Sequence, residues 1–306
     1  MPIKVPNGLP AREVLDRENV FIMQQSRADA QDIRPLRILI LNLMPKKIET
    51  ETQLLRLLGN TPLQVEVELM QTASYTSKNT SAEHLLNFYK VFDDIKDQKF
   101  DGMIITGAPV EQMPFEQVDY WPELCKIMEW AKTNVFCSYF ICWGAQAALY
   151  YYYGIPKYPL EEKLFGIYEH SIREQDHYLF YGFDDVYFAP HSRHTEIREE
   201  DIARCADLKV LSTSKEAGVY IVAGPDNRQF FVTGHSEYDR DTLAQEYHRD
   251  LAANLPIEMP VNYYPENNGT ATPLFSWKAH ANLLYGNWLN YFVYQRTPYD
   301  FVKPGA

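Results

Sequence analysis

Residues 134–154 read N-V-F-C-S-Y-F-I-C-W-G-A-Q-A-A-L-Y-Y-Y-Y-G, and this stretch decides the fold. Val135–Ile141 is a continuous apolar and aromatic run with the length and make-up of a buried strand. Residues 145–152, with their alanines and leucine, read as a helix. Cys142 stands at the junction, followed by Trp143 and Gly144. A residue on a sharp strand-to-helix turn has its side chain pushed out of the sheet. Backbone N–H groups at the helix start then point toward it. Those groups and the helix dipole favour a thiolate and a developing oxyanion. The same residue also reads as a free cysteine buried as a small hydrophobe. Partners elsewhere in the chain must decide.

Working outward, strands at 36–43, 65–70 and 100–106 alternate with helical patterns at 47–58, 82–92 and 121–133. Strand and helix in this order imply a parallel sheet covered on both faces, with right-handed crossovers. Beyond Gly154 the runs shorten, at 166–172, 186–189 and 209–212. Two further strands, 218–222 and 229–233, flank the turn-rich G-P-D-N-R and read as a hairpin. Helices are expected at 239–251 and 279–294, with a long Pro/Asn/Thr-rich loop at 256–276. Residues 1–34, with Pro2, Pro6 and Pro10, read as a polar arm lying over the rest. Residues 35–297 then form a single α/β domain and 298–306 a tail. The expected fold class is α/β and flavodoxin-like, a mostly parallel sheet with helices on both faces.

The chain has 306 residues, 46% of them hydrophobic, which is enough for a large core. Net charge is −12 and no stretch is strongly basic, which argues against nucleic acid or an anionic membrane surface as a main partner. The 4 cysteines show no zinc spacing and no C-x-x-C, as in proteins of a reducing compartment. The N-terminus lacks an apolar leader region, and no segment reaches the ~18 apolar residues of a membrane span. A soluble, cytoplasmic protein is expected.

Downstream, Thr233-Gly234-His235-Ser236-Glu237-Tyr238 lies at the end of a strand. If the strand continues, His235 and Glu237 share a face, because side chains repeat every two residues. A nucleophile needs a base, and the base needs a group that fixes its tautomer. Cys142, His235 and Glu237 supply these roles in chain order. The oxyanion donors would be the amides of Trp143 and of Ala108, in the Gly107-Ala108-Pro109 turn after a core strand. A surface histidine, a solvated glutamate and a plain Gly-Pro turn are the ordinary alternatives.

C-W-G-A-Q-A at 142–147 and G-H-x-E-Y-D-x-x-T-L-A-Q-E from 234 resemble the homoserine O-acyltransferases of the succinyltransferase-type family. That family is related to the class I glutamine amidotransferase fold. The resemblance runs on through N-L-M-P-x-K-I-E-T-E at 42–51, G-A-P-V-E at 107–111, Y-W-P-E-L at 120–124, Y-G-I-P-K at 153–157 and N-W-L-N-Y-F-V-Y-Q-x-T-P-Y-D at 287–300, nearly the whole chain. Phe140 and Ile141 stand before the cysteine where amidotransferases usually carry glycine nearby, which favours the acyltransferase branch.

The resemblance implies ping-pong transfer from an acyl-coenzyme A to L-homoserine through an acyl-Cys142 thioester. No permanently bound cofactor and no metal are implied, and a homodimer is. Lys163, Ser192 and Arg249 become substrate contacts by the family pattern. The residues themselves also allow ordinary readings: Lys163 follows two glutamates in a charged turn, and Arg249 can pair with Glu246 at i, i+3. Arg249 also lies about three turns into a helix that begins just past Glu237, and pattern alone does not put it in a site.

Glu111 bears on the acyl donor. Family members with glycine there leave room for succinyl and its free carboxylate. A second carboxylate ~4 Å away costs roughly 4 kcal/mol at an effective dielectric near 20, close to a thousandfold. Glutamate at this position therefore implies acetyl-CoA, the resemblance associating it with acetyl donors, unless the side chain points to solvent. A succinyltransferase, a glutaminase and a cysteine-bearing sensor of the same fold are the competing readings. Lys46-Lys47 could meet coenzyme A phosphates or simply be solvated. His191-Ser192-Arg193-His194 lacks a third metal ligand at suitable spacing. The tyrosines at 150–153 read as core or subunit interface.

Overall fold

The apolar runs that flank Cys142 form the middle of one sheet. The computed structural model describes residues 3–5, 8–17, 22–24, 34–75 and 79–298. In chain order its strands are β1 (Ile3–Val5), β2 (Ile22–Gln24), β3 (Leu36–Leu41), β4 (Val65–Met70), β5 (Tyr89–Lys90), β6 (Phe100–Ile105), β7 (Val135–Ile141), β8 (Tyr158–Ile172), β9 (Val186–Glu196), β10 (Lys209–Ser214), β11 (Gly218–Ala223) and β12 (Gln229–Val232). Among the described residues these twelve make one sheet, ordered β2-β1-β4-β3-β6-β7-β12-β11-β10-β8-β9, with β5 beside β4. Every pairing from β2 to β12 is parallel, and from β12 to β9 every pairing is antiparallel.

The helices are α1 (Ala11–Arg17), α2 (Lys47–Leu58), α3 (Ala82–Phe88), α4 (Phe92–Ile95), α5 (Trp121–Asn134), α6 (Trp143–Tyr153), α7 (Glu199–Ala203), α8 (Thr242–Ala252) and α9 (Lys278–Asn287). Parallel neighbours require crossovers, and α2 and α5 supply them on opposite faces of the sheet. Period-two alternation along the strands produces two separate cores. Ile38, Ile40, Tyr139 and Ile141 pack with Leu54 and Leu58 of α2 and Leu284 of α9. Leu39, Leu41 and Phe140 pack with Leu124 and Ile127 of α5 and Ala147 of α6. Phe140 also stacks on Phe231 of β12, 5.1 Å between centroids.

Four expectations change. The helix expected at 82–92 is broken, because Tyr89–Lys90 leaves α3 to pair with β4. The short runs at 166–172 and 186–189 are parts of a long antiparallel pair, β8 and β9, whose pairing shifts between Pro159 and Leu164. The aromatic helix at 279–294 is α-helical only to Asn287, and Trp288–Tyr294 widens to a π-helix. The arm does more than lie over the domain: β1 and β2 extend the sheet, and Leu15 of α1 is fully buried in the α2-side core. Most of residues 25–34 and the tail from 299 onward lie outside the described residues.

Candidate active site

Cys142 adopts φ 49° and ψ −114°, a backbone region that residues other than glycine rarely occupy. The sheet and the helix hold it there. Its N–H donates to Val232 O at 2.7 Å, and its carbonyl accepts from the Gln146 N–H at 3.1 Å. Gly144 permits the bend, since a Cβ there would stand 2.6 Å from Thr106 O and 3.0 Å from Ile105 O. This close approach of α6 to the end of β6 sets the Gly107-Ala108 turn against the elbow. A Cβ on Gly107 would lie 3.4 Å from Cys142 Cβ and 3.5 Å from His235 Cε1. The Trp143 indole is buried against Phe115 and Tyr120, and its amide stands in the first turn of α6.

His235 and Glu237 come together by a different route from the one expected. β12 ends at Val232, and residues 235–238 form a turn in which the Tyr238 N–H reaches His235 O at 3.2 Å. The turn places His235 Nδ1 2.6 Å from Glu237 Oε1, with both side chains buried. A carboxylate only accepts, so Nδ1 carries the proton and Nε2 is left for Cys142. The Cys142 side chain lies beside the imidazole. Tyr238 stacks on the ring with centroids 4.1 Å apart, and the His235 amide donates to Pro190 O at 2.8 Å. Burial by itself disfavours the imidazolium. The facing Cys142 and Glu237 outweigh it and hold the His235 pKa well above the ordinary 6.5.

A cavity of about 380 Å³ opens over this pair, and Ala108, Glu111, Cys142, Lys163, Ser192, His235 and Arg249 all line it. Glu237 and Trp143 sit behind its wall. Glu111 faces the cavity, its carboxylate near the His194 backbone N–H. Burial raises its pKa against that N–H and against the nearby His194, His235 and Arg193. Lys163 occupies the irregular stretch of β8 rather than a turn, and its Nζ lies 3.5 Å from both Glu246 and Asp250. Ser192 Oγ donates to Glu246 Oε2 at 2.6 Å, and Tyr238 OH donates to Glu246 Oε1 at 3.1 Å.

Arg249 reaches the cavity as well. Its Nε donates to Asp250 Oδ1 at 2.7 Å, and no described ion pair joins it to Glu246. α8 begins at Thr242, later than expected, and the intervening turn swings the helix across the cavity mouth. Glu246 and Asp250 are the site residues that the sequence reading did not select. Their spacing with Arg249 on one helix face was the available signal.

Lys46 is exposed and pairs with Glu49 at 3.4 Å, whereas Lys47 is buried, its Nζ on Asn42 O and its pKa pushed down by burial to about 8 against the pull of Glu51. Both line a second pocket, about 450 Å³, that holds no nucleophile. His191 is buried and bonded to His170, Nε2 to Nε2 at 3.0 Å. Among the described residues no cluster of histidine, cysteine and carboxylate side chains is arranged to hold a metal ion. No helix among them is long and apolar enough to cross a membrane.

A family model described as homoserine O-succinyltransferase matches residues 2–299. The chain belongs to the homoserine O-succinyltransferase family. Curated relatives in it carry the other acyl name. The homoserine O-acetyltransferase of Desulfitobacterium hafniense is 60% identical over 305 residues, covering 100% of this chain and 99% of its own. That of Acetivibrio thermocellus is 62% identical over 300 residues, covering 98% of each. Among solved structures, a glutamine amidotransferase from Thermotoga maritima superposes with a TM-score of 0.53 at 12% identity, covering 84% of this chain and 98% of its own. One from Methylobacillus flagellatus gives 0.51 at 11%, covering 84% and 95%. The homoserine O-succinyltransferase family thus shares its α/β fold with glutamine amidotransferases.

Proposed function

We propose that this protein is a homoserine O-acetyltransferase of methionine synthesis, moving an acetyl group from acetyl-CoA to the hydroxyl of L-homoserine through a thioester on Cys142. In the first half-reaction the Cys142 sulfur attacks the acetyl carbonyl. The amides of Trp143 and Ala108 receive the oxyanion, and the bond to coenzyme A breaks as His235 returns a proton to the departing thiolate. One thioester replaces another, so the intermediate is neither a trap nor a barrier. In the second half-reaction His235 takes the proton of the homoserine hydroxyl, whose oxygen attacks the acetyl-cysteine and releases the Cys142 thiolate. Glu237 keeps the imidazole in the Nδ1–H tautomer throughout.

The amino-acid end of homoserine is a zwitterion, and the far side of the cavity offers both signs of charge. Lys163 and Arg249 suit its carboxylate, and Glu246 and Asp250 its ammonium. The observation that carries the choice of acetyl is the Glu111 carboxyl in the same cavity as Cys142. The repulsion of roughly 4 kcal/mol that it offers a succinyl carboxylate falls on one donor only. A cytoplasmic homodimer belongs to the same proposal. The test is kcat/KM with acetyl-CoA and with succinyl-CoA, for the protein and for Glu111→Gly. Preference for acetyl that reverses or collapses in the variant supports the reading. Preference for succinyl in the unaltered protein overturns it, and ammonia release from glutamine would indicate a glutaminase.

A further inference from the structure

Lys157 ends the Y-G-I-P-K motif at 153–157, between α6 and β8, and has no part in the chemistry above. Its ammonium turns back over the loop that follows β6. Nζ donates to the carbonyl oxygens of Glu111 and of Met113, the latter at 2.6 Å, and lies 4.3 Å over the Phe115 ring. Both carbonyls belong to one turn, closed by the Met113 N–H on Val110 O at 3.1 Å, with Glu111 at its first corner. On its other side the Glu111 carboxylate lies near the His194 backbone of β9. The turn is therefore fixed by its main chain on Lys157, with its side chain lying toward β9. The environment of Lys157 is partly dehydrated: burial lowers its pKa to about 8 against the pull of Glu111 and Glu116. A cation so placed satisfies itself with the carbonyls it can reach, and here those are the carbonyls of the turn that carries Glu111.

We propose that Lys157 is a positioning residue for donor choice, fixing the main chain at Glu111 so that the carboxyl faces the acyl group on Cys142. The proposal rests on the reading of Glu111 as the group that rejects succinyl. Lys157 itself touches neither substrate. Its effect passes through Glu111, and this separates it from a residue needed only for folding.

The experiment is a double-mutant cycle read as the ratio of kcat/KM for succinyl-CoA to that for acetyl-CoA. Lys157→Met keeps the length of the stem and its packing on Phe115 but removes the donors, and the ratio should rise about tenfold or more. Lys157→Arg, which keeps charge and donors, should hold the ratio near that of the unaltered protein. On the Glu111→Gly background, Lys157→Met should change the ratio no further, because the group it positions is gone. The KM for homoserine should stay the same in Lys157→Met. If Lys157→Met loses its circular-dichroism signature of folding, Lys157→Gln carries the same expectation. A Lys157 variant that loses both donors equally, while Glu111→Gly shifts the ratio, overturns the proposal alone. A ratio unmoved by Glu111→Gly overturns the Glu111 reading and the proposal with it.

Discussion

The Ser192 hydroxyl donates to Glu246 Oε2 at 2.6 Å, tying the edge strand β9 to helix α8 across the mouth of the cavity. Lys163 and Tyr238 converge on the same carboxylate, so one half-buried acid organises three elements around the place where an amino acid would sit.

Replacing that acid by its amide should act on homoserine and not on the acyl donor. Glu246→Gln keeps the shape but loses the charge opposite the substrate ammonium. A hydrogen bond to a charged group contributes about 2 kcal/mol, so kcat/KM for homoserine should fall roughly thirtyfold, mostly through KM. The rate of acetylation by acetyl-CoA alone should be unchanged. Stopped-flow measurement of the two half-reactions separates these effects.

Glu237→Gln addresses the base. The amide still bonds His235 Nδ1 but no longer stabilises the imidazolium, so kcat should fall by between about 10² and 10⁴. The His235 pKa, now held well above 6.5 by Cys142 and Glu237 against burial, should move down. NMR titration of the imidazole reads this directly.

The donor preference should depend on pH. Burial raises the Glu111 carboxyl above 4.5, opposed by the His194 backbone N–H and by the charges of His194, His235 and Arg193. A raised pKa means that Glu111 takes up its proton before an ordinary carboxylate does as pH falls. A neutral Glu111 no longer repels a succinyl carboxylate. As pH falls, the acetyl-to-succinyl ratio of kcat/KM should therefore begin to decline above the range in which an ordinary carboxylate is protonated, and in Glu111→Gln it should be flat.

Gly144→Ala tests the elbow. Its methyl would stand 2.6 Å from a backbone carbonyl, an overpacking that costs about 1–3 kcal/mol and lowers Tm by a few degrees. Because the displaced element carries Cys142 and the Trp143 amide, kcat should fall alongside Tm. Calorimetry and a steady-state assay check both.

Much of this arrangement was legible in the chain, and the parts that were not share a cause. Val135–Ile141 announces a buried strand because both its faces must be apolar, and Lys47–Leu58 a helix because its leucines repeat at helical spacing. Cys142, His235 and Glu237 could be selected because the chemistry needs those residue types in those roles. The pairing of the last two was anticipated from a continued strand, whereas a turn achieves it, and sequence spacing alone does not distinguish the two.

Lys163 sits in a bulge whose existence depends on the register of β8 against β9, a long-range property that local pattern does not encode. Glu246, Arg249 and Asp250 look like the solvated face of an amphipathic helix. Only the path of residues 233–241 turns that face toward the nucleophile.

The central claim is that the acetyl group travels on Cys142. Intact-protein mass spectrometry after mixing with acetyl-CoA, without homoserine, tests it most directly. The account predicts a gain of one acetyl group that is absent in Cys142→Ala and discharges when homoserine is added. A protein that turns over both substrates without ever carrying the adduct, or an adduct that persists in Cys142→Ala, would contradict it.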